Sequence, residues 1–200
     1  MQVGAEGTKK AAALAELYPS LHFIVQVTST PGPSNGYESQ QVSPTTLAET
    51  TNAPDSGSRI TVTKRAMGAV QTVKDAAVYI LHLPYSSLGV SRRALSMQIL
   101  AELRAHLGVL RANPSAMLLL APQLLPEPGT VEPSVEARAR VRDLSQLQLA
   151  NEREMELQEI VELVSNVQNS LGRLVVVDTL RSQSDGNVAL GIKYRAYADV

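Results

Sequence analysis

Two continuous apolar runs bracket a stretch whose apolar residues recur at helical spacing. The runs are Ala76-Ala77-Val78-Tyr79-Ile80-Leu81 and Ala116-Met117-Leu118-Leu119-Leu120-Ala121. Between them Leu95, Ile99, Leu103 and Leu107 fall on one helix face, and Leu100 and Leu110 widen it. Ser91 is placed to cap that helix, and Asn113-Pro114 to stop it. A short run with no polar alternation suits a strand covered on both faces. Strand, helix and strand in that order suit parallel neighbours joined by a right-handed crossover. The chain is thereby confined to α/β folds.

The flanking segments extend the pattern. Met1-Gln2-Val3 reads as a nearly cut-off first strand, running into a turn with Gly4 and Gly7. A helix over Ala11 to Leu17 and a strand over Leu21 to Val27 follow. Arg59 to Thr63 alternates and is β-branched, as a strand should be. Val135 to Val167 is mostly helical with a break near Asn151. Its first part carries Leu144, Leu147 and Leu149, and its second Leu157, Ile160, Val161 and Val164. Leu174 to Val177 and Val188 to Tyr194 form an antiparallel pair about the Asp185-Gly186 turn. The expectation is a mostly parallel sheet with an antiparallel C-terminal strand, helices on both faces and a truncated first strand. Ligands of such sheets bind beyond the carboxyl ends of the strands.

At 200 residues the chain is expected to be one domain, residues 1–200. Residues 28–58 break the pattern: Pro-Gly-Pro and Asn-Ala-Pro-Asp turns flank Ser, Thr, Gln and Glu. Such a stretch lacks the hydrophobicity to offset its ordering entropy, so a disordered insert is expected, with Val42 and Leu47 marking at most a short helix. A net charge of −1 gives no electrostatic case for nucleic acid or anionic membrane. There is no Cys, and His22, His82 and His106 are scattered, so no metal site is expected. No apolar run reaches the roughly 18 residues of a membrane span, and no signal peptide opens the chain. The default expectation is a cytoplasmic monomer with an aliphatic core, Phe23 being the one Phe and Trp being absent.

Three pieces are more specific than periodicity. Leu14-Ala15-Glu16-Leu17-Tyr18-Pro19 precedes Leu21-His22-Phe23-Ile24-Val25-Gln26. Leu124-Leu125-Pro126-Glu127-Pro128-Gly129 follows the later strand. Arg142-Asp143-Leu144-Ser145-Gln146-Leu147-Gln148-Leu149 runs on to Asn151-Glu152-Arg153. In this order, from Val3 to Tyr194, the segments resemble the catalytic domain of S-adenosylmethionine-dependent O-methyltransferases, of the plant-type small-molecule group and its fungal secondary-metabolite relatives. The resemblance implies a Rossmann-like methyltransferase sheet, S-adenosylmethionine as cofactor, and a small phenolic or polyketide-type substrate. It also implies an N-terminal helical dimerisation domain, which this sequence lacks. A pocket left open in that way invites a protein partner to cover it.

Carried over residue by residue, the resemblance points to candidate sites and to departures. The family places three glycines after its first strand. Gly4 matches the first, Ala5 and Glu6 stand where glycines are expected, and Thr8 falls on the last. Gly7 either compensates through a shifted turn or, with Gly4, merely makes one. The family ends its second strand with an acid for the ribose hydroxyls. Here Gln26 is followed by Val27, which leaves Gln26 as the candidate contact unless Glu38 or Glu49 substitutes. The family's catalytic His belongs at about Tyr85-Ser86, where there is none. His82, just upstream, is either a displaced general base or a polar residue ending a strand. Of two flanking acids, one position holds Pro122 and the other Glu152. Glu152 lines the pocket or joins Glu154, Glu156, Glu159 and Glu162 on a solvated helix face. Arg138, Arg140, Arg142 and Asp143 read as a solvated face, unless Asp143 points to the pocket, and His22 and His106 as surface or interface positions.

Three functions follow. The first is an O-methyltransferase-like protein of fungal secondary metabolism. The second is a non-methylating descendant: a pseudoenzyme, a binding partner, or a catalyst of cyclisation or rearrangement. The third is a truncated, inactive product.

Overall fold

The computed structural model describes residues 2–3, 7–29, 59–82, 91–182 and 186–197. In chain order the elements are β1 (Gln2–Val3), α1 (Gly7–Leu17), β2 (Phe23–Ser29), β3 (Ile60–Ala66), β4 (Val78–His82), α2 (Arg92–Ala112), β5 (Met117–Ala121), α3 (Pro133–Ala150), α4 (Leu157–Ser165), β6 (Gln168–Asn169), β7 (Gly172–Arg181) and β8 (Val188–Ala196). The strands form one mixed sheet in the order β3-β2-β1-β4-β5-β8-β7-β6. Pairing is parallel from β3 through β5. β8 is antiparallel to both of its neighbours, β5 and β7. β2 runs through Ser29, two residues into the stretch read as an insert, and the remainder of that stretch lies outside the described residues.

The main core lies between the sheet and helices α2 and α4. Tyr79, Leu81, Leu118, Leu120, Leu174, Leu190 and Ile192 supply the sheet side, each 1% exposed or less. The expected stripe of α2 meets them: Leu95, Ile99, Leu103 and Leu110 are buried, and Leu100 and Leu107 pack at the margin. Ile160 and Val164 bring α4 onto the same core. Each such side chain contributes about 1.5–3 kcal/mol of transfer free energy. On β2, Val25 and Gln26 point to opposite faces, as adjacent strand residues must, and both are buried. Both faces of β2 are therefore covered, and α1 packs against β1, β2 and β3.

Local chemistry explains the element ends. The Ser91 hydroxyl accepts a hydrogen bond from the Ala94 N–H, satisfying one orphan donor of α2. Asn151 ends α3 in the left-handed region, φ 53°, which Asn tolerates better than most residues. The chain is then extended to Glu156, which caps α4 reciprocally with Glu159. Gly172 is required where β7 crosses β8, since a Cβ there would overlap the Arg195 carbonyl oxygen.

The long helix departs from expectation in one respect. Val135, Ala139 and Asp143, four residues apart, form the buried stripe of α3. Leu144, Leu147 and Leu149 face outward. No helix of the described residues is long and apolar enough to cross a membrane.

Candidate functional site

Two polar clusters and two cavities lie around the carboxyl ends of the strands. The first cluster joins β2, β3, α2 and the connector after β3. Gln26 Nε2 donates to Gln71 Oε1 at 3.2 Å, and Gln71 Nε2 donates back to Gln26 Oε1 at 2.9 Å. The Val73 N–H donates to the same Gln71 Oε1 at 3.0 Å. Gln71 Nε2 also lies 3.1 Å from His106 Nε2, while His106 Nδ1 lies 2.7 Å from the Glu102 carbonyl oxygen. A carbonyl only accepts, so Nδ1 carries the proton and Nε2 accepts from Gln71. His106 is thus neutral, and its pKa lies below the ordinary 6.5, chiefly because burial penalises the charged ring, with the Arg65 charge adding to it. The edge of its ring meets Tyr79. Tyr79 titrates above its usual range, because of burial first and the charge of Asp75 second.

One turn away on α2, Glu102 accepts from the Gly68 N–H at 2.6 Å and forms a buried ion pair with Arg65. Arg65 also donates to the Ala69 carbonyl, and its Nε has no hydrogen-bond partner among the described residues. The network therefore fastens the connector 67–73 to α2 and β2. It corrects the reading of His106 as a surface residue: the ring is wholly buried, because position 106 continues the inward stripe of Leu103 and Leu110. His22 is exposed.

The second cluster ties α3 to the extended segment behind it. Asp143 Oδ1 accepts from the Glu154 N–H at 2.8 Å, and Arg153 donates to Asp143 Oδ2 at 3.3 Å. Arg142 grips the Glu154 carboxylate through Nε and Nη2. That hydrogen bond is the main cause that raises the Arg142 pKa above its ordinary value. Asp143 and Glu154, both expected on solvated faces, are buried here, because the chain reversal at Asn151 folds 152–156 back along α3.

A cavity of about 810 Å³ opens beyond β4 and β5, bounded by α3 and the end of the β7–β8 hairpin. A second, of about 30 Å³, lies between Pro122, Gln123, Glu152 and the α2–α4 contact. The sequence-derived candidates separate accordingly. His82 ends β4 and lines the large cavity, whereas Glu152 is half-buried and lines the small one. Gln26 faces Gln71 rather than either cavity. Gly7 is the first residue of α1, and Gly4, Tyr85, Ser86, Glu38 and Glu49 lie outside the described residues. Pro122 is buried and borders both cavities. Sequence reasoning missed Gln71, Glu102 and Arg65, and among the cavity residues Lys10, Arg138 and Arg181. For Glu102 a signal existed: it lies between Ile99 and Leu103 on the buried side of α2. Gln71 carries none, since its segment has no periodicity.

S-adenosylmethionine is the cofactor the fold implies, and the described residues do not fit it well. The amide of Gln26 is already engaged, and Val27 offers no acceptor to ribose hydroxyls. Among the described residues no group of three or more His, Asp or Glu side chains is placed to hold a metal ion.

The fold is shared with two solved structures. LepI, solved in complex with S-adenosylmethionine, superposes with a TM-score of 0.60 at 18% identity, over 98% of this chain and 43% of LepI. TnmH superposes with a TM-score of 0.59 at 19% identity, over 97% of this chain and 50% of TnmH. No protein-family model matches the chain. In sequence it is 52% identical to a transcriptional coactivator of Pseudocercospora fijiensis, over 96% of this chain and 49% of that protein. It is 41% identical to the monodictyphenone cluster transcriptional coactivator of Emericella nidulans, over 98% of this chain and 48% of that protein. The chain spans about half the length of these curated relatives. The likeness to LepI and TnmH thus holds at the level of fold, and these sequence relatives are coactivators by name rather than O-methyltransferases.

Proposed function

We propose that this chain is a non-methylating descendant of the O-methyltransferase fold that acts in transcriptional coactivation of a fungal secondary-metabolite gene cluster. The observation that carries the reading is the 52% identity to a coactivator along nearly the whole chain, on a fold whose ribose-contact position is closed by the Gln26–Gln71 amide pair. On this reading residues 1–200 are one domain with a Rossmann-like methyltransferase sheet, kept as a scaffold. The stretch 28–58 is an insert in it, and the working partner is a protein. At about Tyr85-Ser86, where the resemblance calls for a catalytic His, the chain has none, which supports a site not equipped for proton abstraction and methyl transfer.

Two measurements test this. Calorimetric titration with S-adenosylmethionine and with its demethylated product is expected to show no binding at millimolar concentration. Deleting the gene is expected to lower transcripts of the neighbouring biosynthetic genes, and a variant with His82→Ala and Glu152→Ala is expected to restore them. Micromolar cofactor binding together with methyl transfer to a phenol would return the chain to the O-methyltransferases. Unchanged transcripts on deletion would remove the coactivator role.

A further inference from the structure

The 810 Å³ cavity is large enough for a small organic ligand, since such sites commonly span about 300–1,000 Å³. Its wall divides by chemistry. Leu124, Val135 and Ala139 are buried and supply an apolar floor. The charged lining residues are Lys10, Arg138, Arg142 and Arg181, and no Asp or Glu stands among the described lining residues. They come from three separate elements, α1, α3 and β7, so the fold and not one basic run assembles them. Arg142 is neutralised by Glu154, and Arg181 has a loose, exposed pairing with Glu127 at 3.7 Å. Lys10 and Arg138 have no ion-pair partner among the described residues. The described residues of the wall therefore carry a net positive charge over a hydrocarbon floor.

We propose that this cavity binds a small amphipathic organic acid, with a ring-sized apolar body on the floor and a carboxylate at the cationic rim. A guanidinium presents paired N–H donors that match a carboxylate, which gives orientation as well as attraction. The same charge opposes a sulfonium ligand, because like charges brought together raise the free energy of the complex. Half the wall is apolar, so a bare inorganic anion fills only the rim and forgoes the floor. The ligand class follows from the wall alone and stands apart from the coactivator reading.

The test uses the full chain and three probes: 2-naphthoate, its neutral isostere 2-naphthamide, and inorganic phosphate. Calorimetry is expected to show naphthoate binding at least about tenfold tighter than the amide, the usual scale for a hydrogen bond to a charged group. Phosphate at equal concentration is expected to leave naphthoate bound. Arg138→Gln and Lys10→Gln are each expected to weaken naphthoate by about three- to tenfold. Arg104→Gln, which removes an exposed charge of α2 outside the cavity, is expected to leave binding unchanged. Equal affinity for naphthoate and naphthamide would overturn the proposal. So would displacement by phosphate, insensitivity to Arg138→Gln and Lys10→Gln, or no naphthoate binding by a chain whose circular dichroism shows it folded. A transcript measurement in either direction leaves these ratios untouched.

Discussion

The two halves of the sheet are closed by different chemistry. Along β4, β5, β8 and β7 the covering is hydrocarbon: Leu81, Leu118, Leu120, Leu174 and Ile192 under α2 and α4. Along β3 and β2 the covering over Gln26 is a polar network that joins Gln26, Gln71, His106, Glu102 and Arg65. Burial of hydrocarbon is non-directional and tolerates changes of shape. A buried polar network is directional, and losing one member strands the others. The polar half is also where the methyltransferase resemblance puts its ribose contact. There the amide and imidazole groups that could meet a ligand are hydrogen-bonded to each other.

The largest effect is expected where a charge would be stranded. Glu102→Leu removes the partner of Arg65 and the acceptor of the Gly68 N–H, both buried. An uncompensated buried cation costs about 3–5 kcal/mol, to be read from the urea midpoint at constant slope. Adding Arg65→Met is expected to recover at least half of that loss, because a buried pair exchanged for hydrocarbon is often neutral. The Arg65 Nε, without a hydrogen-bond partner among the described residues, already counts against the pair. A cost under about 1 kcal/mol for Glu102→Leu alone would erase the distinction between the halves.

The hydrocarbon half should respond to volume rather than to partnership. Leu118→Ala, at a fully buried position, is expected to cost about 3 kcal/mol, the sum of lost transfer energy and the cavity left behind. Leu118→Met keeps the volume and should cost under about 1.5 kcal/mol. Equal losses for the two substitutions would mean that this core is as exacting as the polar network.

The same contrast explains what the sequence revealed. The apolar half announced itself: the two continuous runs became β4 and β5, and the stripe from Leu95 to Leu110 became the buried face of α2. Periodicity carries that information because apolar burial repeats with the element. The break near Asn151 was legible from local chemistry and is a left-handed cap. The polar half was not legible. Gln26 and Gln71 are 45 residues apart and meet only because β2 lies beside the connector that follows β3. His106 was readable in principle, lying three residues from Leu103 and four from Leu110 on the same face, but its polarity argued for the surface. Among the candidates carried by resemblance, His82 lines the large cavity and Glu152 the small one, and Pro122 and Gln123 border both.

The polar half should also be the pH-sensitive one. The folded pKa of His106 lies below its ordinary value of 6.5. The unfolded ring takes up a proton near 6.5, whereas the folded ring resists it. Its stabilising contribution is therefore complete above about pH 6.5 and declines as pH falls from there toward the folded pKa. The slope is at most about 1.4 kcal/mol per pH unit for one proton. Chemical denaturation from pH 7.5 to 5.0 is expected to show this decline, and His106→Gln, which has no ring to protonate, is expected to flatten it. A parallel decline in His106→Gln would place the sensitivity elsewhere.

The smallest effects fall beside the small cavity, where Asp143 bonds to Arg153 and Glu154 of its wall and one carboxylate meets both environments. Asp143 Oδ1 accepts from the buried Glu154 N–H, and Oδ2 accepts from Arg153, whose side chain is 53% exposed. The two contacts differ in worth because water can replace only one of them. Asp143→Ala leaves a buried N–H without an acceptor, at a cost of about 1–3 kcal/mol. Arg153→Gln gives up a solvent-screened pair and should cost no more than about 0.5 kcal/mol, less at high salt. Both values come from urea unfolding at low and at high ionic strength. If Arg153→Gln cost as much as Asp143→Ala, the wall would be held by its surface charges. If the order holds, the reversal at Asn151 is held by the bond from the Glu154 N–H to Asp143, and Arg153 can change without loosening the fold.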